Sequence, residues 1–140
     1  NNPDALVIRT SAFFGPWDKS NFAYDILQAQ LHKSPVSVLS DVVVSPTYVP
    51  DLVNTALNLL IDEEKGIWHL SNHGSLTWAD FASEIASRGG MEQKSFQTKK
   101  LLQMKWKAKR PIYSVLHSEK GMQLPPLENA LNRFFEEKIY

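Results

Sequence analysis

The sequence predicts an α/β fold of mixed short strands and about four helices, and three observations carry that expectation. Ala5-Leu6-Val7-Ile8 is a continuous apolar run without alternation, the pattern of a strand buried on both faces of a parallel sheet. Four later stretches keep apolar residues at three-to-four spacing, as amphipathic helices do. Strand-like runs lie between them, giving the order β-α-β-α-β-α-(β)-β-α, which is the alternation of α/β proteins.

In chain order, Arg9-Thr10-Ser11 brings polar groups to the C-terminal end of the first strand, the edge at which open α/β sheets bind ligands. Phe14-Gly15-Pro16 reads as a turn. Ser20 is placed to cap a helix running to about Lys33, with Phe22, Ala23, Ile26, Leu27 and Leu31 on its apolar face. Ser34-Pro35 ends it. Val36-Ser37-Val38 alternates and Val42-Val43-Val44 is β-branched, so a short strand is expected on one or both sides of Asp41. A second helix runs from about Pro50 to Ile61, with Pro50 and Asp51 suited to its first turn. Its wide apolar face (Leu52, Val53, Ala56, Leu57, Leu59, Leu60) predicts a well-buried helix. Ile67-Trp68-His69-Leu70 is the next strand. Thr77 caps a third helix, with Asp80 in a capping-box position and Gly89-Gly90 at its end. Residues 91–110 lack periodicity and are expected to be irregular, with at most one short strand. Ile112 to Leu116 reads as a strand, and after Pro125-Pro126 a last helix buries Leu127, Ala130, Leu131, Phe134 and Phe135.

The 140 residues suit one domain, and 43% apolar content is enough for a packed core. The net charge of zero names no partner in bulk, and the absence of cysteine excludes disulfides, thiolate metal sites and a cysteine nucleophile. It fits a cytoplasmic protein. No run reaches membrane-spanning length. The start at Asn1-Asn2-Pro3, running almost directly into a strand, is read as that of a fragment excised from a longer protein, the alternative being a processed or tag-cleaved terminus.

The stretch from Val43 to Leu52 is the pivot of the chain: a strand-to-helix loop holding a hydroxyl, a phenol and a carboxylate. Thr10, Ser11 and Tyr48 carry groups suited to a sugar hydroxyl, although such residues as often satisfy backbone groups at loop ends. Asp51 is better read as a helix-start carboxylate than as a catalytic base. Lys94, Lys99, Lys100, Lys105, Lys107, Lys109 and Arg110 form a basic cluster with no acidic residue between Glu92 and Glu119. It would attract a phosphate-bearing ligand, or it is simply a solvated lysine-rich loop. Arg110, fixed before Pro111, is the candidate for bidentate phosphate contact. Nucleic acid is not the expected partner, because the chain is not basic overall and its aromatics are not interleaved with the basic residues. His69 and His73 are four apart but straddle a strand end and a turn, so no metal site is expected. Trp17, Trp68, Trp78 and Trp106 are expected to pack in the core or at its edge, with Trp106 alternatively stacking on a base. No nucleophile–base pair is readable. No Gly-x-Gly-x-x-Gly is present to hold a dinucleotide pyrophosphate.

In order along nearly the whole chain, these residues resemble the C-terminal portion of dTDP-4-dehydrorhamnose reductases, extended short-chain dehydrogenase/reductases acting on nucleotide sugars. Arg9-Thr10-Ser11-Ala12-Phe13-Phe14-Gly15 is similar to the family's Arg-Thr-Ser-Trp-x-Tyr-Gly, and Val44-Ser45-Pro46-Thr47-Tyr48-Val49-Pro50-Asp51-Leu52 to Gly-Ser-Pro-Thr-Tyr-x-x-Asp-Leu. Gly66-Ile67-Trp68-His69-Leu70-Ser71, Arg110-Pro111-Ile112-Tyr113-Ser114-Val115-Leu116 and a Pro-Pro-Leu opening to the last helix also fit. Two departures stand out: Ala12 replaces a substrate-facing Trp, and Phe14 a Tyr.

The resemblance implies the C-terminal part of a Rossmann-type protein, with residues 1–140 a single substrate-binding domain lacking the N-terminal dinucleotide-binding domain. The parent would reduce a 4-keto nucleotide sugar with NADP or NAD as cofactor. The fragment, which lacks the family's Tyr-x-x-x-Lys, would hold no cofactor and be inactive. Thr10 and Ser11 would then lie near the nicotinamide or sugar and Arg110 near the nucleotide phosphates, with Tyr48 a further substrate-binding residue. Nucleotide-sugar substrate is the implied partner, with no nucleic acid or membrane, and self-association is expected through an exposed edge or apolar surface. The alternatives are a non-catalytic regulatory subunit on the same scaffold, for the family also resembles the regulatory subunit of methionine adenosyltransferase, or an interaction module.

Overall fold

A computed structural model describes residues 2–90 and 96–137; Asn1, Glu92, Lys94 and the opening of the irregular segment, residues 91–95, all used above, lie outside the described residues. Strand β1 (Leu6–Arg9) is followed by β2 (Phe13–Phe14), helix α1 (Phe22–Leu31), β3 (Val36–Leu39), β4 (Val43–Val44), β5 (Thr47–Tyr48) and α2 (Val49–Ile61). Then come β6 (Gly66–His69), β7 (Asn72–His73), β8 (Leu76–Thr77), α3 (Trp78–Arg88), β9 (Phe96–Lys99), β10 (Tyr113–Ser114), β11 (Leu124–Pro126) and α4 (Leu127–Glu136). The α/β class and the four helices agree with the sequence.

Among the described residues the strands make five small sheets rather than one wide sheet. β1–β6, β2–β5, β3–β9, β4–β10 and β7–β11 pair in parallel, and among the described residues only β4–β8 is antiparallel. Each parallel pair joins residues far apart in sequence, as parallel pairing requires. Strands form on both sides of Asp41, whose carboxylate accepts the Leu101 N–H at 2.9 Å and so ties the segment after β9 back to the β3–β4 corner.

The main core lies between α1, α3 and α4. Phe14 is its hub, fully buried with its ring 5.3 Å from that of Tyr48, 5.6 Å from Phe81 and 5.8 Å from Phe134. A phenyl ring suits this place, since a hydroxyl closed in by rings would need a partner of its own. A second cluster, Leu59, Trp68, Leu70 and Leu124, packs α2 on one face of the β1–β6 pair.

Three expectations change. Helix α1 is capped by Asn21, one residue beyond Ser20: the Asn21 side chain accepts the Tyr24 N–H at 3.0 Å, while the Ser20 hydroxyl donates to Asp18 at 2.6 Å. β1 is covered on one face only; Leu6 and Ile8 turn inward, whereas Val7 is 45% exposed. α2 is not well buried: Asp51 and Leu59 are its buried residues, and Val53, Leu57, Leu60 and Ile61 stand in solvent. Both differences have one cause. Among the described residues, nothing packs on the outer side of α2 or on the Val7 and Ile67 face of the strand pair. Thr77 and Asp80 do form the capping box of α3, and Gly90 leaves the helix with φ +69°, where glycine is unstrained.

Candidate functional site

The pivot segment is closed rather than open. Ser45, Pro46, Thr47 and Tyr48 are all buried. The Ser45 hydroxyl accepts the Leu116 N–H at 3.2 Å, so the loop after β4 is pinned to the strand segment beyond β10. Thr10 donates to the Thr47 hydroxyl at 3.2 Å, and the Thr47 N–H donates to the Ala12 carbonyl at 3.0 Å. Ala12 takes φ +49°, the left-handed region, at the turn between β1 and β2.

Asp51, in the first turn of α2, anchors a buried polar network. Its two oxygens accept from the Arg133 guanidinium of α4 at 2.6 and 2.7 Å, and one also accepts from Asn72 Nδ2 at 2.9 Å. Asn72 Nδ2 further donates to the Pro125 carbonyl at 2.8 Å, and its oxygen takes the Tyr48 N–H at 2.7 Å. Tyr48 donates its phenol to Glu137 at 2.7 Å and carries the Arg133 guanidinium 4.9 Å above its ring. Burial, then the hydrogen bond to Glu137, hold the Tyr48 phenol well above its ordinary range, and the Asp51 hydrogen bonds raise Arg133. A proton held so tightly, on a group with no solvent access, is structural. The network joins α2, β5, β7, β11 and α4, and no local pattern marks it because its partners are 21 to 89 positions apart.

The opening that can take a ligand lies on the other side of β4. It is a cavity of about 500 Å³. Its walls are Phe22, Val38, Val42, Val44 and Trp78, with Met104 and Trp106 from the irregular segment at one side. Its polar groups are few: Ser11, Ser37, Ser114 and Arg110. Ser11 arrives just past the C-terminal end of β1, and Arg110 just before β10, which is held in register on β4. Such an apolar cleft with a few convergent polar groups is the usual form of a small-molecule site. Arg110 is exposed, with its guanidinium 6.0 Å from the centre of the half-exposed Trp106 ring. Among the described residues its side chain makes no hydrogen bond or ion pair. The exposed Lys105, Lys107 and Lys109 precede it in the same segment.

Of the four residues singled out from the sequence, the cavity therefore brings together Ser11 and Arg110. Thr10 lies beside it, occupied with Thr47, and Tyr48 lies in the core. The sequence marks Val44 within the pivot stretch and Ser114 within the Arg110–Leu116 element without assigning either to a site, and it leaves Ser37 and Val42 as strand residues; what it does not show is that all four converge.

A smaller, polar cavity of about 180 Å³ lies at the end of β6, lined by His69, Ser71, His73, His117 and Ser118 among others. His69 Nδ1 is 3.0 Å from the His117 carbonyl. Among the described residues no three His, Cys, Asp or Glu side chains gather as metal ligands, and no helix is long and apolar enough to cross a membrane.

Comparison with known proteins agrees with the fold. The spore coat polysaccharide biosynthesis protein SpsK of Bacillus subtilis is 33% identical over 141 residues, covering 96% of this chain and 48% of that protein. A dTDP-4-dehydrorhamnose reductase of Mycolicibacterium smegmatis is 31% identical over 130 residues, covering 91% of this chain and 40% of that enzyme. The crystal structure of dTDP-4-dehydrorhamnose reductase from Bacillus anthracis in complex with NADP superposes with a TM-score of 0.87 at 30% identity, over 95% of this chain and 48% of that one. The chain thus spans about half the length of the relatives it matches. Residues 1–139 match the family described as the RmlD substrate binding domain, and to that family the chain belongs.

Proposed function

We propose that this chain is the substrate-binding half of an NAD(P)H-dependent reductase of 4-keto nucleotide sugars, and that it takes the nucleotide part of that substrate in the cavity beside β4. The observation that carries this is the joining of Arg110, exposed and without an acidic partner among the described residues, to an apolar cleft that also receives Ser11. A guanidinium at the mouth of such a cleft suits a diphosphate. Thr10, next to Ser11, supports the sugar side of the site through its contact with Thr47, and Tyr48 supports it from behind as a core residue.

The chain's own residues do not fit the nicotinamide dinucleotide. No glycine-rich strand-to-helix loop and no Tyr-x-x-x-Lys occur in it, so it supplies neither a pyrophosphate cradle nor the catalytic pair. By this reading the dinucleotide-binding domain belongs to a longer parent, a cytoplasmic enzyme, and 1–140 is one substrate-binding domain of it. The open outer face of α2 and the uncovered side of β1–β6 support that arrangement, since they are apolar surfaces of the kind another domain covers. Left uncovered, they also favour self-association.

Arginine-specific modification by phenylglyoxal tests the site. A dTDP-sugar should protect Arg110, and unprotected modification at saturating ligand would overturn the assignment. The chain alone should not oxidise NADPH with a 4-keto nucleotide sugar; turnover would refute its inactivity. The non-catalytic regulatory reading is favoured by one observation, Ala12 in the place of a substrate-facing Trp. It takes the lead if a protein partner is captured with no effect of nucleotide.

A further inference from the structure

Resting on the nucleotide-sugar reading, we propose that Trp106 is the base-stacking residue of this site and that Arg110, which now faces its ring, turns to the diphosphate when a nucleoside diphosphate enters. The irregular segment that the sequence leaves without periodicity supplies both parts. It leaves β9, is tied down by the bond from Leu101 N–H to Asp41, turns at Lys105 with φ +45°, and presents Trp106 at the cavity. Of the four indoles, Trp68 is buried under the Lys120 ammonium, Trp78 packs at 4.6 Å on Phe22, and Trp17 lies outside the cavity lining. Trp106 alone is both half-exposed and part of the cavity wall.

Its present partner is a cation at 6.0 Å, the outer limit of such contacts and weak where water reaches it. A flat, uncharged ring can displace that cation from the indole face without stranding a charge, because the guanidinium stays solvated and gains the ligand's phosphates. The ligand that fits this sequence of contacts has an aromatic plane at one end and an anionic group a short link away. A nucleoside diphosphate has that form; a bare sugar phosphate lacks the plane and inorganic pyrophosphate lacks both plane and link. The cavity floor beneath, built from Val38, Val42 and Val44 with few polar groups, suits stacking more than edge-on hydrogen bonding.

Calorimetric titration of the chain with dTDP and with inorganic pyrophosphate separates the parts. Stacking of one base is worth about 5-fold to 150-fold in affinity by alanine substitution. Trp106→Ala should therefore weaken dTDP within that range and leave pyrophosphate unchanged, while Trp106→Phe, which keeps a π face, should restore most of the loss. Arg110→Gln should weaken both ligands. If dTDP binds the unsubstituted chain and Trp106→Ala equally, the stacking role is refuted while the nucleotide reading stands. An equal loss for dTDP and pyrophosphate on Trp106→Ala also refutes it, since the indole would then act only by holding Arg110. If the unsubstituted chain binds no dTDP at all, both this inference and the reading beneath it fall.

Discussion

The bond between Asp51 and Arg133 gives the sharpest test of how this fold is held. The carboxylate side chain is only 7% exposed, whereas the guanidinium is 34% exposed. The two partners therefore differ in what each leaves behind. Arg133→Met strands a buried carboxylate whose remaining donor is Asn72 at 2.9 Å, and removes the cation from the Tyr48 ring. Breaking a fully buried pair costs roughly 3 to 5 kcal/mol; with one donor retained and one partner part-exposed, the lower end applies, about 3 kcal/mol. Asp51→Ala leaves a guanidinium that can turn to water, and Asn72 keeps its bond to the Pro125 carbonyl, so about 1 to 2 kcal/mol is expected. The double variant should cost less than the sum of the two, because no carboxylate is left unpaired. Equilibrium urea unfolding reads these values. With a slope of about 2 kcal/mol per molar, Arg133→Met should lower the midpoint by about 1.5 M at unchanged slope. The reasoning fails if Asp51→Ala costs as much as Arg133→Met, or if the double variant equals the sum.

Three further outcomes follow from the same geometry. The fold keeps the Tyr48 phenol neutral above its ordinary value of 10.0, so its contribution is intact below that pH and is lost as pH rises beyond it. Tyr48→Phe should cost about 1 kcal/mol at neutral pH and flatten the alkaline fall in stability; an unchanged alkaline fall would count against the assignment. Thr77→Ala removes the side-chain oxygen that accepts the Asp80 N–H at 3.1 Å and should lower stability by about 1 kcal/mol, with Thr77→Ser nearly neutral; thermal denaturation followed by circular dichroism checks both. Replacing Leu57 and Ile61, which are 52% and 78% exposed, by Lys should reduce self-association in concentration-dependent light scattering with little change in unfolding midpoint, and an unsubstituted chain that is monomeric at every concentration would remove its premise.

What was legible in the sequence was what depends on near neighbours. The stripes of α1, α3 and α4, the Thr77–Asp80 box and the Gly89-Gly90 stop are all written within about four residues of where they act. β2, β5, β7 and β8 are two residues long, too short to show a period, and exist only because a distant strand pairs with them. α2 shows the opposite failure. Its apolar face was correctly seen, but an apolar pattern says that a surface is suited to burial, not that the partner is present in the same chain. The loop at residues 45–48 was marked for its chemistry, and its chemistry is used, but inwardly: each polar group there closes a contact within the fold.

That inward use explains why the candidate site sits where it does. Val44 lines the cavity, and the very next residue, Ser45, is pinned to Leu116; β10, paired with β4, carries Ser114 into the same cavity. The wall is thus built on a strand whose far side leads into the Asp51–Asn72–Arg133 network, so its position is fixed by long-range polar bonds rather than by local sequence. Arg110 and Trp106 are fixed differently. They lie on a segment anchored at Leu101 and again at Tyr113, with exposed residues between. A buried apolar floor beneath an exposed cationic and aromatic edge lets the edge change partners while the floor keeps its shape. Substitutions in the network should accordingly move stability first, and substitutions at Trp106 or Arg110 should move ligand affinity with stability nearly unchanged. A variant of Arg110 that unfolded the chain as readily as Arg133→Met would contradict that division.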